Sequence, residues 1–140
     1  MSKVAVVYWS GTGNTEAMAK SVQKGAQDAG ADAELFTADS FGADQLDSYD
    51  GVALGCPAMG AEELEDSEFL PMYESIKEKL KDKKVVLFGS YGWGDGEWMR
   101  TWDSEVKELG ANVAADYVIA NEAPDAEAAA ACEKLGAALV

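Results

Sequence analysis

Three stretches of the 140-residue chain set hydrogen-bonding groups or large side chains among glycines, where core packing has no use for them. The first is Trp9-Ser10-Gly11-Thr12-Gly13-Asn14-Thr15, directly after the apolar run Val4 to Tyr8. Gly11 and Gly13 allow a backbone to approach a ligand, and Ser10, Thr12 and Thr15 add hydroxyls. A helix opening near Asn14 would aim unpaired N–H groups and its positive dipole end at the same spot. The result is an anion cradle built without Lys or Arg. A triphosphate loop needs Gly-Lys-Ser/Thr, whereas Gly13 is followed by Asn14. A dinucleotide fingerprint needs glycine at residue 16, which is Glu16. A single terminal phosphate held by neutral donors fits what remains. A loop that only turns the chain and caps a helix uses the same residue types, so both readings stand on this stretch alone.

The second stretch is Cys56-Pro57-Ala58-Met59-Gly60-Ala61-Glu62-Glu63, and the third is Ser90-Tyr91-Gly92-Trp93-Gly94-Asp95-Gly96. Trp93 stands between glycines that offer it no side-chain packing, and a planar ligand would cover the ring. Met59 is flexible and polarizable, suited to touching an aromatic surface. Trp93 folded back onto the core and Met59 as a core plug are the competing readings.

The elements that must position these loops follow from periodicity. Lys3 to Trp9, Ala33 to Thr37, Gly51 to Cys56, Val85 to Gly89 and Asn112 to Ala120 have strand character. The first, third and fourth are nearly continuous apolar runs, as in strands covered on both faces. Between them, spacings of three and four mark helices: Met18, Val22, Ala26 and Ala29; Phe69, Met72, Ile76 and Leu80; Trp98, Trp102, Val106 and Leu109; Ala128, Cys132 and Leu135. Gly30 and Gly110 stand at C-cap positions, Ser67 and Asp95 at N-cap positions, and Pro124 opens the last helix. Ser40 to Leu46 is read as a short helix. This alternation predicts an α/β fold: a single domain over residues 1–140, with a doubly wound, five-stranded parallel sheet and helices on both faces. Sites in such sheets lie at the carboxyl ends of the strands, so the three loops belong together.

Composition narrows the chemistry. The chain has no histidine, which removes the usual neutral-pH proton shuttle and the commonest metal ligand. Cys56 and Cys132 stand far apart with no Cys-x-x-Cys, against a disulfide framework, a zinc site or an iron–sulfur site. No metal site is expected. A formal charge of −15 repels nucleic acid and anionic lipid and attracts partners with basic patches. No apolar run reaches the ~18 residues of a membrane span. The amino terminus runs straight into a strand pattern, leaving no room for a signal peptide, so a cytoplasmic protein is expected.

Ser10-Gly11-Thr12-Gly13-Asn14-Thr15, Met59-Gly60-Ala61-Glu62 and Gly89-Ser90-Tyr91-Gly92-Trp93-Gly94, in this order and spacing, resemble the flavodoxin family. Length and the two later loops are similar to its short-chain, clostridial-type members. The resemblance spans the whole chain and implies strand order 2-1-3-4-5 and an FMN site. It implies that Trp9, Ser10, Gly11, Thr12, Gly13, Asn14 and Thr15 surround the phosphate. Pro57, Ala58, Met59, Gly60, Ala61, Glu62, Ser90, Tyr91, Gly92, Trp93 and Gly94 then surround the ring. Within that set Trp93 stacks on the isoalloxazine, Met59 meets its other face, and Glu62 accepts from the flavin N3–H. Gly60 supplies the peptide that turns its carbonyl toward N5–H. Ala61 stands where relatives often carry a polar or acidic residue.

The resemblance also implies a function: a monomeric, low-potential one-electron carrier shuttling between semiquinone and hydroquinone. Its partners would be ferredoxin- or flavodoxin-dependent oxidoreductases with basic docking patches. Glu62, Glu63, Glu65, Asp66 and Glu68 fit such a carrier, because each carboxylate ~10 Å from a reduced ring opposes its charge by about 1 to 2 kcal/mol at an effective dielectric of ~20. Two other classes share the fold. A small FMN-dependent quinone or nitro-compound reductase needs room for a second substrate, and no insertion supplies it. A phosphoacceptor receiver wants acidic residues ending the first strand and an aspartate ending the third, where this chain has Trp9-Ser10 and Cys56-Pro57.

Overall fold

The computed structural model describes residues 2–59, 62–92 and 94–140. β1 (Lys3–Tyr8) lies between β2 (Asp32–Thr37) and β3 (Gly51–Gly55), and β4 (Lys84–Tyr91) pairs with β3 on its far side. All pairings within this sheet are parallel, in the order β2-β1-β3-β4-β5, with β5 at Asn112–Val113. The helices are α1 (Asn14–Asp28), α2 (Ala43–Leu46), α3 (Phe69–Ile76), α4 (Glu97–Glu108) and α5 (Ala126–Ala138).

β1 shows why the sheet is covered on both faces. Val4 and Val6 join one buried cluster with Met18, Val22, Ala26, Cys132 and Leu135 of α1 and α5. Ala5 and Val7 join the other, with Phe69, Met72, Ile76, Trp98, Trp102 and Val106 of α3 and α4. Alternate residues point to opposite faces, so a strand packed on both sides must be apolar throughout. Both cysteines are buried and free.

The outer edge departs from the sequence reading. Asn112 to Ala120 is not one strand: β5 is Asn112–Val113 and β6 is Val118–Asn121. Both pair with β4 opposite β3, β5 at Lys84 and Val85 and β6 from Phe88 to Tyr91, so together they fill the fifth place in the sheet. Ser40 to Leu46 likewise resolves into a 3-10 turn over Ala38–Ser40 and the four-residue α2.

Two N-caps also differ. α3 is preceded by Glu68 and α4 by Gly96, whose φ is 93°. Ser67 fails as a cap because its hydroxyl donates to the Glu65 carboxylate. That carboxylate in turn accepts from the N–H groups of Ser67, Glu68 and Phe69, so Glu65 secures the start of α3 from within the preceding loop. Asp95 instead holds Arg100 through its carboxylate and its carbonyl. Asp125, one residue after Pro124, caps α5 by accepting from Ala128 N–H.

Candidate functional site

β1, β3 and β4 end side by side, and the three glycine-bearing loops leave from those ends. After β1 the chain turns through Gly13, which has φ 94° and no side-chain cap bond to the helix behind it. The first turn of the 15-residue α1 therefore keeps its amino end open. The Ser10 hydroxyl accepts from Gly13 N–H at 3.0 Å and holds the turn. A Cβ on Gly11 would press on the Trp9 indole at 3.0 Å. The indole is fixed from behind, where its Nε1–H donates to Glu68 at 2.9 Å.

The second loop is tied to the third. Ala58 N–H donates to the Ser90 carbonyl at 3.0 Å, and Trp98 Nε1–H reaches the Cys56 carbonyl at 3.1 Å. Met59 and Glu63 exchange both backbone hydrogen bonds, at 2.8 and 2.9 Å, and so bracket residues 60–62. Gly60, Ala61 and Trp93 lie outside the described residues.

Between the loops opens a cleft of about 510 Å³. Trp9, Gly11, Thr12 and Asn14 line it from the first loop, Pro57, Ala58 and Met59 from the second, and Ser90, Tyr91 and Gly92 from the third. Glu122 and Ala123, after β6, complete the wall. None of these lining residues is cationic. The volume suits a small cofactor, and the open amino end of α1 suits an anionic group on it.

Not every expected residue faces this cleft. Ser10 lines a neighbouring groove with Tyr8, Glu16 and Asp39. Thr15 is buried, its Oγ1 2.9 Å from Ser90 Oγ. Glu62 lines a separate groove of about 250 Å³ together with Tyr73, Trp98 and Trp102. Its Oε1 is buried without a hydrogen-bond partner among the described residues, and it lies over Gly94 in the third loop. A buried acceptor without a donor is costly, and a ligand N–H would relieve that cost. The open helix end and the cleft volume fit a cofactor with a phosphate at one end, while Glu62 holds an acceptor, unpartnered among the described residues, in its own groove against the third loop.

Of the acidic run, Glu65 is only 5% exposed and belongs to the fold rather than to the rim. Burial pushes its carboxyl upward. The Ser67 hydroxyl and the N–H groups of Phe69, Glu68 and Ser67 outweigh that and hold it below the ordinary carboxylate value. Burial raises Cys56, the residue after β3, to about 12, so it stays a thiol.

Fold and site define a class: a doubly wound parallel α/β protein with a phosphate-terminated cofactor cleft at the carboxyl edge of its sheet. A model of the flavodoxin family matches residues 6–136. The chain is 50% identical to a flavodoxin of Megasphaera elsdenii over 135 residues, 96% of each chain. It is 46% identical to a flavodoxin of Clostridium beijerinckii over 131 residues, 94% of each. The solution structure of two-electron reduced Megasphaera elsdenii flavodoxin superposes with a TM-score of 0.88 over 97% of each chain. The chain belongs to the flavodoxin family, and it is an FMN-binding electron carrier rather than an enzyme. No helix among the described residues is long and apolar enough to cross a membrane.

Proposed function

We propose that residues 1–140 form one domain that acts in the cytoplasm as a monomeric, low-potential one-electron carrier. The observation that supports this most is the meeting of the uncapped first turn of α1 with the loops after β3 and β4 in one cleft. Bound FMN would supply reversible acceptance of single electrons. The chain's residues do the rest. Backbone N–H groups at the start of α1, with Thr12 and Asn14, hold the phosphate, while Gly11 and Gly13 leave room for it and Ser10 fixes the turn. Trp9 covers the phosphate end and Thr15 braces it. Met59 and Trp93 flank the ring, with Pro57, Ala58, Ser90, Tyr91, Gly92 and Gly94 around its rim. Gly60 and Ala61 would supply a peptide to the bound ring, and the Glu62 carboxylate would accept an N–H from it.

The phosphate's charge is met by dipoles alone and stays uncancelled; Glu122 on the cleft wall, and Glu62 and Glu63 in the groove beside the second loop, add like charge. At ~10 Å each opposes a reduced ring by about 1 to 2 kcal/mol, which makes a strong reductant. The same negative surface steers oxidoreductases with basic docking patches to the exposed edge of the cofactor.

Anaerobic stepwise reduction of the FMN-loaded protein, followed by absorption, tests the one-electron reading. The expected result is two resolved one-electron steps; a single two-electron step contradicts it. Trp93→Ala should weaken FMN binding at least about tenfold, the order expected for loss of a stacked aromatic, and unchanged affinity removes Trp93 from the site.

A further inference from the structure

Glu62 sits in the left-handed region, with φ 58°, where a residue with a Cβ is under strain. From there its side chain crosses to the third loop. A Cβ built on Gly94 would fall 2.1 Å from Glu62 Oε1 and 2.8 Å from Cδ, closer than real atoms approach. The same Oε1 is the buried acceptor without a partner among the described residues. A strained residue thus extends a carboxylate into a gap that exists because residue 94 has no side chain, and the oxygen it brings there is unpaired among the described residues. No hydrogen bond among the described residues accounts for that placement.

We infer that Gly94 is a positioning residue for Glu62: its missing side chain seats the carboxylate against the third loop and keeps one oxygen free for the cofactor's N–H. The inference rests on the FMN reading. Gly94 also has φ 83°, so any substitution there strains the backbone as well. Strain and collision separate in a double-mutant cycle, because strain persists when Glu62 is truncated and collision does not.

The experiment measures FMN affinity of the unaltered protein, Gly94→Ala, Glu62→Ala and the double variant, in oxidised and fully reduced states. Thermal unfolding of each apoprotein accompanies it. Gly94→Ala should weaken oxidised FMN binding by about tenfold or more, the order expected when a charged hydrogen bond is lost. In the Glu62→Ala background the same change should cost about threefold or less. The ratio of oxidised to reduced affinity should shift with Gly94→Ala only when Glu62 is present, since backbone strain alone does not distinguish the two states. Equal losses in both backgrounds, or a ratio that never moves, overturn the inference. If Gly94→Ala does not fold alone, the double variant should fold and bind FMN as Glu62→Ala does; failure of both to fold overturns it too. An unaltered protein that takes up no FMN refutes the cofactor reading instead.

Discussion

The hydroxyl of Thr15, in the first turn of α1, lies 2.9 Å from the hydroxyl of Ser90, near the end of β4, with both residues buried. Ser90 N–H also points at Thr15 Oγ1, at 3.4 Å. Because the Ser90 carbonyl accepts from Ala58 N–H, this pair links the phosphate loop to both other loops. Removing the Thr15 hydroxyl strips the buried Ser90 hydroxyl and N–H of this partner, and removing the Ser90 hydroxyl leaves Thr15 Oγ1 only the longer bond from Ser90 N–H. Thr15→Val or Ser90→Ala should each cost the apoprotein about 1 to 3 kcal/mol in denaturant unfolding, and the double variant less than the sum. Additive losses would mean the hydroxyls do not act as a pair.

Glu65 makes stability fall with acid. Its carboxyl is held below the ordinary value, so its contribution is fully present above the unfolded-state pKa of ~4.3 and is lost as pH falls through the lower folded value. Glu65→Gln should be less stable by about 2 kcal/mol at pH 7, the order of a lost charged hydrogen bond. That gap should narrow steadily below about pH 5. Denaturant midpoints of both proteins from pH 7 to pH 3 check this; a constant gap contradicts it.

Gly25 separates helix propensity from packing. It lies inside α1, where alanine would ordinarily add about 1 kcal/mol of helix stability. A Cβ at Gly25, however, would lie 1.8 Å from the Glu133 carbonyl oxygen of α5, and one at Gly136 would lie 2.0 Å from the Val22 carbonyl oxygen. The two glycines, one on each helix, let the backbones of α1 and α5 touch. Gly25→Ala should therefore destabilise by about 1 to 3 kcal/mol. A raised thermal midpoint would show that the helices move apart freely.

The sequence carried much of this because the relevant signals are local. Apolar runs of strand length fixed β1, β3 and β4, and helical stripes such as Met18, Val22 and Ala26 became buried faces. Gly30 and Gly110 adopt the left-handed backbone their positions suggested. What stayed hidden depends on tertiary contacts. Nothing in the pattern from Asn112 to Ala120 marks where pairing with β4 lapses. Glu122, with φ 59°, and Ala123 join the cleft through the path of β6 rather than by residue type. Thr15 has the composition of a ligand hydroxyl, yet its partner stands 75 residues away. Glu65 reads as one more surface acid until its four donors are seen. Isolated glycines inside helical stripes were the available clue to Gly25 and Gly136.

In the proposed site, neutral donors at the amino end of α1 hold the cofactor by its phosphate. Titrating the apoprotein with FMN and with riboflavin, at matched ionic strength, isolates their contribution. FMN should bind at least about 100-fold more tightly, as the loss of several charge-assisted hydrogen bonds requires. Equal affinities for the two flavins, or folded protein that takes up neither, would contradict the account.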